Sequence, residues 1–187
     1  MSLPQTPSQT VGPFFRPSLC RAGQESLATL ETRGERITIE GRVLDGDASP
    51  VNDALIELWQ ANGEGRYDHP EDTQEKLLDP NFAGFGRAAT DDSGRFRFHT
   101  IKPGPVPGVG NILQAPHINV SIFARGLLKR LFTRIYFPGE AMNDADTVLN
   151  SVAPSRRATL IAQAERPGVL RFDIVLQGEN ETVFFDV

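Results

Sequence analysis

Cysteine is nearly absent from this chain of 187 residues, because Cys20 is the only one. A single thiol forms no intramolecular disulfide and supplies no multi-cysteine zinc site. The chain also lacks an N-terminal basic patch followed by an apolar run, and it has no stretch of about 18 consecutive apolar residues. These absences predict a soluble, unprocessed protein of the cytoplasm without a membrane span.

Positive charge is scarce as well, since 19 Lys and Arg residues face 24 Asp and Glu residues and the formal net charge is −5. Nucleic acid and anionic membranes both require a basic footprint. The composition therefore predicts neither as a partner. One local cluster breaks the acidic trend and suits a small anion or an acidic partner: Arg125, Lys129, Arg130 and Arg134.

The common catalytic signatures are missing. The chain contains no nucleophile elbow, phosphate-binding loop, dinucleotide fingerprint, H-E-x-x-H motif or EF-hand loop. The sequence DDSG at 91–94 carries only part of a calcium loop and predicts a hairpin turn. Spacing alone therefore assembles no set of three or four metal ligands.

Short strands with period-two alternation dominate the rest of the chain, and 17 Gly and 14 Pro suggest many turns. The pattern predicts an all-β fold, an antiparallel two-sheet β-sandwich with long loops and one or two short helices. Residues 154–164 form the expected helix, with Pro154 in its first turn. Seven segments have the strand pattern: 36–43, 54–59, 95–101, 116–123, 130–137, 170–176 and 182–185.

Residues 1–35 are predicted to form an extended N-terminal arm and lead-in, and residues 36–187 a single β-sandwich domain. The arm has several prolines and no helical or strand period, and its Phe14 and Phe15 rings need burial. Packing on its own domain is the ordinary behaviour of an ordered terminus. The long connections 62–87 and 102–116 are expected to carry a site or an interface.

The strand at 116–123 places His117 and Asn119 on one face, roughly 6–7 Å apart, and Ile118 and Val120 on the other. An H-x-H pair would suit a metal, but a carboxamide oxygen is a poor substitute for imidazole on a ferric or zinc centre. The phenolate of Tyr67 suits ferric iron, although a lone loop tyrosine is more often a packed aromatic. The pattern indicates a metalloenzyme that is short of ligands.

A second strand, 130–137, places guanidinium groups and aromatic rings together on one face, here termed the Arg134 face. Such a face suits an interface core or a carboxylate-binding pocket. A solvated or salt-bridged strand face is an equally good interpretation. The members of the Arg134 face are Arg130, Phe132, Arg134 and Tyr136.

Five separated motifs resemble those of the intradiol ring-cleaving dioxygenases, and the similarity spans nearly the whole chain. The motifs are TPSQTVGPFF at 6–15, ELWQA at 57–61, TIKPG at 100–104, PHIN at 116–119 and RFDI at 171–174. The resemblance implies a complex that cleaves a catechol ring between its two hydroxyl-bearing carbons with O2, at non-haem ferric iron.

The resemblance implies that the catalytic chain of that family binds iron through two tyrosines and two histidines. Tyr67 and His117 match the first of each kind, but Val106 replaces the second tyrosine and Asn119 the second histidine. The loss of a phenolate and an imidazole removes charge compensation and coordination number. We therefore expect these four vestigial ligand positions to bind no iron.

The resemblance further implies that Fe(III) is held by a homologous beta chain, with this chain as the alpha subunit of a large heterodimer-based assembly. By the same likeness Thr10, Gly12 and Pro13 line the substrate pocket of the beta chain, and Arg134 adds positive charge there. The aromatic substrate carries a carboxylate and binds as a catecholate. The expected contribution of this chain is positioning and electrostatics, with no catalytic residue in this chain alone.

A hypothesis from another class is a non-catalytic β-sandwich module that binds a protein or ligand through the Arg134 face. It predicts a stable monomer and no catechol-dependent oxygen consumption in any mixture. The division of labour between two chains instead predicts turnover only when the iron-binding partner is present.

Overall fold

The computed structural model describes residues 4–12 and 14–186. Strands dominate this part of the chain, and no helix in it has the length and apolar character that a membrane crossing requires. Its α-helices are α1, Phe15–Leu19, and α2, Thr147–Ser151. Its strands are β1 Arg36–Leu44, β2 Leu55–Trp59, β3 Phe85–Ala89, β4 Arg95–Ile101, β5 Val106–Pro107, β6 Leu113–Gln114, β7 His117–Phe123, β8 Leu131–Tyr136, β9 Gln163–Arg166, β10 Val169–Arg171 and β11 Ile174–Val175. Three 3₁₀ segments complete the elements: Val109–Asn111, Ala141–Ala145 and Arg157–Leu160.

Two main sheets pack face to face, which confirms the predicted sandwich, and most of its strand pairs are antiparallel. One sheet has the order β3-β2-β7-β8, and all its pairs are antiparallel. In the other sheet β1 pairs antiparallel with β4 on one edge. The second edge of β1 pairs in parallel with β10 and, further along, with β11. β9 pairs antiparallel with the outer edge of β10. The small pair β5-β6 lies in the connection between β4 and β7.

The core lies between the two main sheets because alternate residues of each strand point inward. Its side chains are apolar and almost completely buried, as the alternation predicts. The strand residues of this core include Ile37, Ile39, Val43, Ile56, Leu58, Phe96, Phe98, Ile118, Val120, Ile122 and Ile135. A second, smaller cluster covers the opposite side of β8 and includes Ala115, Tyr136, Leu149, Val152 and Leu160.

The predicted strand 170–176 is divided into β10 and β11. Asp173 interrupts it, since its Oδ1 accepts the backbone N–H of Arg42 at 3.0 Å. The backbone of Phe172 lies against β1 at this point, and a Cβ added to Gly41 would be 1.9 Å from the Phe172 carbonyl oxygen. Glycine at position 41 is therefore what permits the close approach.

The predicted helix at 154–164 is wrong. A 3₁₀ segment, Arg157–Leu160, stands there, and the chain then enters β9. The Ala162 N–H donates to the carbonyl of Tyr136 at 3.0 Å, and Ile161 forms a bridge with the same residue. The backbone groups of residues 161 and 162 therefore pair with the end of β8 and are not available for the hydrogen bonds of a helix.

Two other strand assignments differ from the sequence pattern. Residues 182–185 form no strand, because their backbone groups bond to separate strands: Thr182 N–H donates to Val175 and Phe185 N–H to Phe132, at 2.9 and 2.8 Å. Conversely, β3 begins within the connection 62–87, which was expected to be irregular, and extends to Ala89. It extends the sheet along the free edge of β2.

The N-terminal segment lies against its own domain through one of its two phenylalanines. Phe15 opens α1 and contacts Phe123 with 5.5 Å between ring centroids. Phe14 remains 78% exposed. One aromatic ring of this segment is thus left available to another surface.

Candidate functional site

The structure brings the four vestigial ligand positions together at the start of β7. The Asn119 Nδ2 donates to the Tyr67 hydroxyl at 3.3 Å. His117 lies two residues earlier on the same strand face. Val106 is buried and lines, with Tyr67, a cleft of about 560 Å³. Residues that are distant in sequence thus form one group.

Strand alternation explains this arrangement. Ile118 and Val120 enter the main core, so His117 and Asn119 leave the sheet on its other face, as predicted. The register with β8 pairs His117 with Tyr136 and Asn119 with Arg134. Cross-strand partners share a face, so part of the Arg134 face lies beside the vestigial ligand positions.

Tyr67 is held in the loop after β2 by aromatic packing. Its ring stacks on Trp59 with 5.6 Å between centroids, and the edge of His69 approaches the same indole at 6.4 Å. His69 lies in the same loop after β2. The sequence pattern indicates no role for Trp59 or for this contact. The ring of Tyr67 therefore packs against other aromatic side chains, while its hydroxyl contacts Asn119, another of the vestigial ligand positions.

Burial keeps the imidazole of His117 neutral. The residue is 3% exposed, and its Nδ1 donates to the Ala115 carbonyl at 2.8 Å, which leaves Nε2 unprotonated. Loss of solvation lowers the pKa of His117 to about 4, and the positive charge of Arg134 acts in the same direction. The ring is thus uncharged at neutral pH.

Burial also keeps the Tyr67 hydroxyl protonated. Loss of solvation raises the pKa of Tyr67, and the nearby charge of Arg134 and the hydrogen bond from Asn119 offset only part of that rise. A phenolate is the form that ferric iron binds. Tyr67 is therefore a neutral phenol at neutral pH in this chain.

Arg134 lies half-buried between these groups and β6. Its Nη1 donates to Gln114 Oε1 at 2.7 Å and approaches the Tyr136 hydroxyl at 3.4 Å, while its Nε is buried without a partner. The Arg134 face therefore mixes guanidinium and aromatic groups, as predicted. The Arg134 guanidinium itself forms hydrogen bonds with Gln114 and Tyr136 of the same chain. Neither the contact with Gln114 nor that with Tyr136 is visible in the sequence pattern.

A buried carboxylate anchors the same region. Asp146 is completely buried, and its Oδ1 accepts from the Tyr136 hydroxyl at 3.0 Å and from the Leu149 N–H at 2.8 Å. Its Oδ2 accepts from the Ala115 N–H at 2.8 Å. Asp146 thus caps α2 and fixes the residues that lead into His117. Sequence reasoning missed it, although an aspartate before a short helix is a known capping signal.

The donor set does not fit a ferric ion. It offers one protonated phenol, one imidazole, one carboxamide and the hydrocarbon side chain of valine, at Tyr67, His117, Asn119 and Val106. The Asn119 Nδ2 donates to the phenol oxygen, and its Oδ1 is buried without a partner. Within residues 4–12 and 14–186, no three His, Cys, Asp or Glu side chains form a group that could hold a metal ion.

The arm residues predicted to line a substrate pocket lie elsewhere in this chain. Thr10 and Gly12 are exposed, and the Thr10 hydroxyl accepts from the Gly126 N–H at 2.8 Å. Gly126 lies three residues beyond the far end of β7, which is itself about 13 Å along the strand from Asn119. Pro13 is outside the described residues. A single chain therefore does not bring Thr10 and Gly12 to Arg134.

Comparison with known proteins shows similarity along the whole chain. The profile of a family described as Dioxygenase matches residues 11–178. The protocatechuate 3,4-dioxygenase alpha chain of Burkholderia cepacia is 43% identical over 100% of this chain and 99% of its own. The beta chain from that organism is 42% identical over 81% of this chain and 68% of its own. A solved dioxygenase domain from Streptomyces sp. SirexAA-E has a TM-score of 0.64 and 33% identity over 91% of this chain and 97% of that one.

Proposed function

Because this chain belongs to the intradiol dioxygenase family, we propose that it acts as the alpha subunit of a protocatechuate 3,4-dioxygenase. The complex cleaves protocatechuate with O2 to 3-carboxy-cis,cis-muconate, a step of aromatic-compound catabolism in the beta-ketoadipate pathway. Similarity to an alpha chain over its full length and to a beta chain over most of it supports a two-chain enzyme.

The observation that carries this proposal is the incomplete ligand set. Val106 and Asn119 stand where a phenolate and an imidazole would be needed, and the Tyr67 hydroxyl already accepts a hydrogen bond from the Asn119 amide. In our proposal the Fe(III) is bound by a homologous beta chain, and O2 and the substrate react there. The isolated alpha chain is not expected to turn over.

The proposed contribution of this chain is to complete the substrate pocket of its partner. We assign that role to Thr10, Gly12 and Pro13 of the arm, with Arg134 adding positive charge. The exposure of Thr10, Gly12 and the Phe14 ring supports it, since exposed groups of the arm are available to a second chain. A guanidinium attracts the carboxylate and the catecholate of the substrate.

The proposed organisation has an arm and lead-in at 1–35 and a sandwich domain at 36–187. The arm reaches from one subunit to the other, and the heterodimers gather into a larger assembly. A location in the cytoplasm agrees with the single cysteine, because no disulfide within the chain is needed for stability.

Co-expression with an iron-binding beta chain tests the proposal. The chain is purified alone and as the complex, and iron per chain and protocatechuate-dependent oxygen uptake are measured for each. We expect iron and oxygen uptake only in the complex. Stoichiometric iron with turnover in the isolated chain would refute the division of labour. A stable monomer that supports no oxygen uptake in any mixture would favour the binding module that uses the Arg134 face.

A further inference from the structure

A permanent positive charge lies beside the vestigial ligand positions. Arg134 is the cross-strand partner of Asn119, so the two side chains share the sheet face that also carries His117. Asn119 in turn donates to the Tyr67 hydroxyl. A guanidinium does not lose its proton in proteins, so this charge is present at every pH at which the protein is folded.

The guanidinium is fixed in place by contacts with this chain. It donates to Gln114 in β6, and Gln114 pairs with Val106 in β5. A hydrogen bond therefore connects Arg134 to the strand pair that carries the third vestigial position. The Nε of Arg134 is buried, so part of the charge is shielded from bulk water and is screened less than an exposed charge.

We propose that Arg134 excludes metal cations from the vestigial site, so that restoring the two missing donors is not sufficient for iron binding. The inference rests on the proposed division of labour between two chains, and it adds a third determinant to the two lost ligands. A ferric or divalent ion placed among Tyr67, His117 and Asn119 would lie close to a like charge in a poorly screened region. The guanidinium would also compete with the ion for the same oxygen and nitrogen lone pairs.

Metal content of the complex with the beta chain tests this inference. The double variant Val106→Tyr/Asn119→His restores both donors while Arg134 stays. The triple variant adds Arg134→Gln, which removes the charge but keeps an amide donor for Gln114. The matched control adds Arg130→Gln to the double variant. Arg130 is on the same strand face but contacts Ser121 and the ring of Phe132.

We expect about one iron per heterodimer in the double variant and in the Arg130 control, and about two in the triple variant. The triple variant is also expected to gain additional ferric-tyrosinate absorption. About two irons per heterodimer in the double variant, or no increase in the triple variant, would overturn the proposal. If the wild-type complex showed no protocatechuate-dependent oxygen uptake, the proposed function would be refuted. The comparison of iron content between the variants would still test the role of Arg134.

A smaller change keeps the test informative if the double variant does not fold. Asn119→His alone restores an H-x-H pair, for which Co(II) is a spectroscopic probe. We expect Asn119→His/Arg134→Gln to bind Co(II) at least about tenfold more tightly than Asn119→His with Arg134 present. Equal affinities would show that the guanidinium does not exclude metal.

Discussion

The buried carboxylate of Asp146 allows the sharpest prediction of stability. Replacing Asp146 by Ala removes the cap of α2, which costs about 1 kcal/mol. It also leaves the Ala115 N–H and the Tyr136 hydroxyl without their acceptor in a buried region, at about 1–3 kcal/mol for each group. We therefore expect the free energy of unfolding to fall by about 4 kcal/mol, a large fraction of the total for a domain of this size.

Urea unfolding of the isolated chain measures this loss. The chain has one tryptophan, and Trp59 stacks on Tyr67, so its fluorescence reports unfolding next to the site. Asp144→Ala is the matched control, because Asp144 is an exposed carboxylate two residues away. We expect that control to change stability by less than about 0.5 kcal/mol.

A double-mutant cycle assigns the energy to the hydroxyl contact. Tyr136→Phe alone is expected to cost about 1 kcal/mol, since it removes the hydrogen bond to Asp146 and the long one from Arg134 but leaves Asp146 with two other donors. Asp146→Ala/Tyr136→Phe is expected to cost less than the two single losses together, because it leaves no unpaired hydroxyl. A loss below about 1.5 kcal/mol for Asp146→Ala would refute the view that this carboxylate anchors the strand entry.

Three other perturbations probe the vestigial ligand positions and Arg134. Between pH 6.5 and 4 the unfolded imidazole of His117 takes up a proton that the buried one does not, so wild-type stability is expected to fall by about 3 kcal/mol more than that of His117→Gln; parallel pH curves in urea titrations would contradict this. Asn119→His alone is expected to produce neither oxygen uptake nor red ferric-tyrosinate absorption, because Val106 supplies no phenolate, and the appearance of either in the purified protein would refute that account. Arg134→Ala in the complex is expected to raise KM for protocatechuate about fivefold with unchanged iron content, whereas Arg130→Ala is not; equal KM values in oxygen-uptake assays would remove Arg134 from the pocket.

The sequence predicted the parts of the fold that depend on strand alternation. β7 is the clearest case, because its core face and its His117 face follow from the period of two. β3 could not be predicted in the same way, because Gly86 and two alanines give it a weak strand pattern. A Cβ at Gly86 would lie 2.2 Å from the Cδ1 of Leu27, so packing by the lead-in explains the glycine.

The candidate site was predicted in part by resemblance and in part by pattern. The resemblance selected Tyr67, Val106, His117 and Asn119, which spacing alone does not connect. It could not show that Arg134 lies beside them, because that placement depends on the register of β7 with β8. The cap that Asp146 forms on α2 has a sequence signal, but its bond to the distant Ala115 N–H has none.

The parallel pairing of β1 with β10 and β11 has a consequence for biosynthesis. β1 leaves the ribosome long before its partners β10 and β11 are translated, so only its antiparallel neighbour β4 can join it early. The sheet becomes complete only after β10 and β11 have emerged, many residues later than β4, and such long-range closure slows folding. Until then one edge of β1 is open to incorrect pairing with other nascent chains, so the interval between the synthesis of β4 and that of β10 and β11 carries the greatest risk of aggregation.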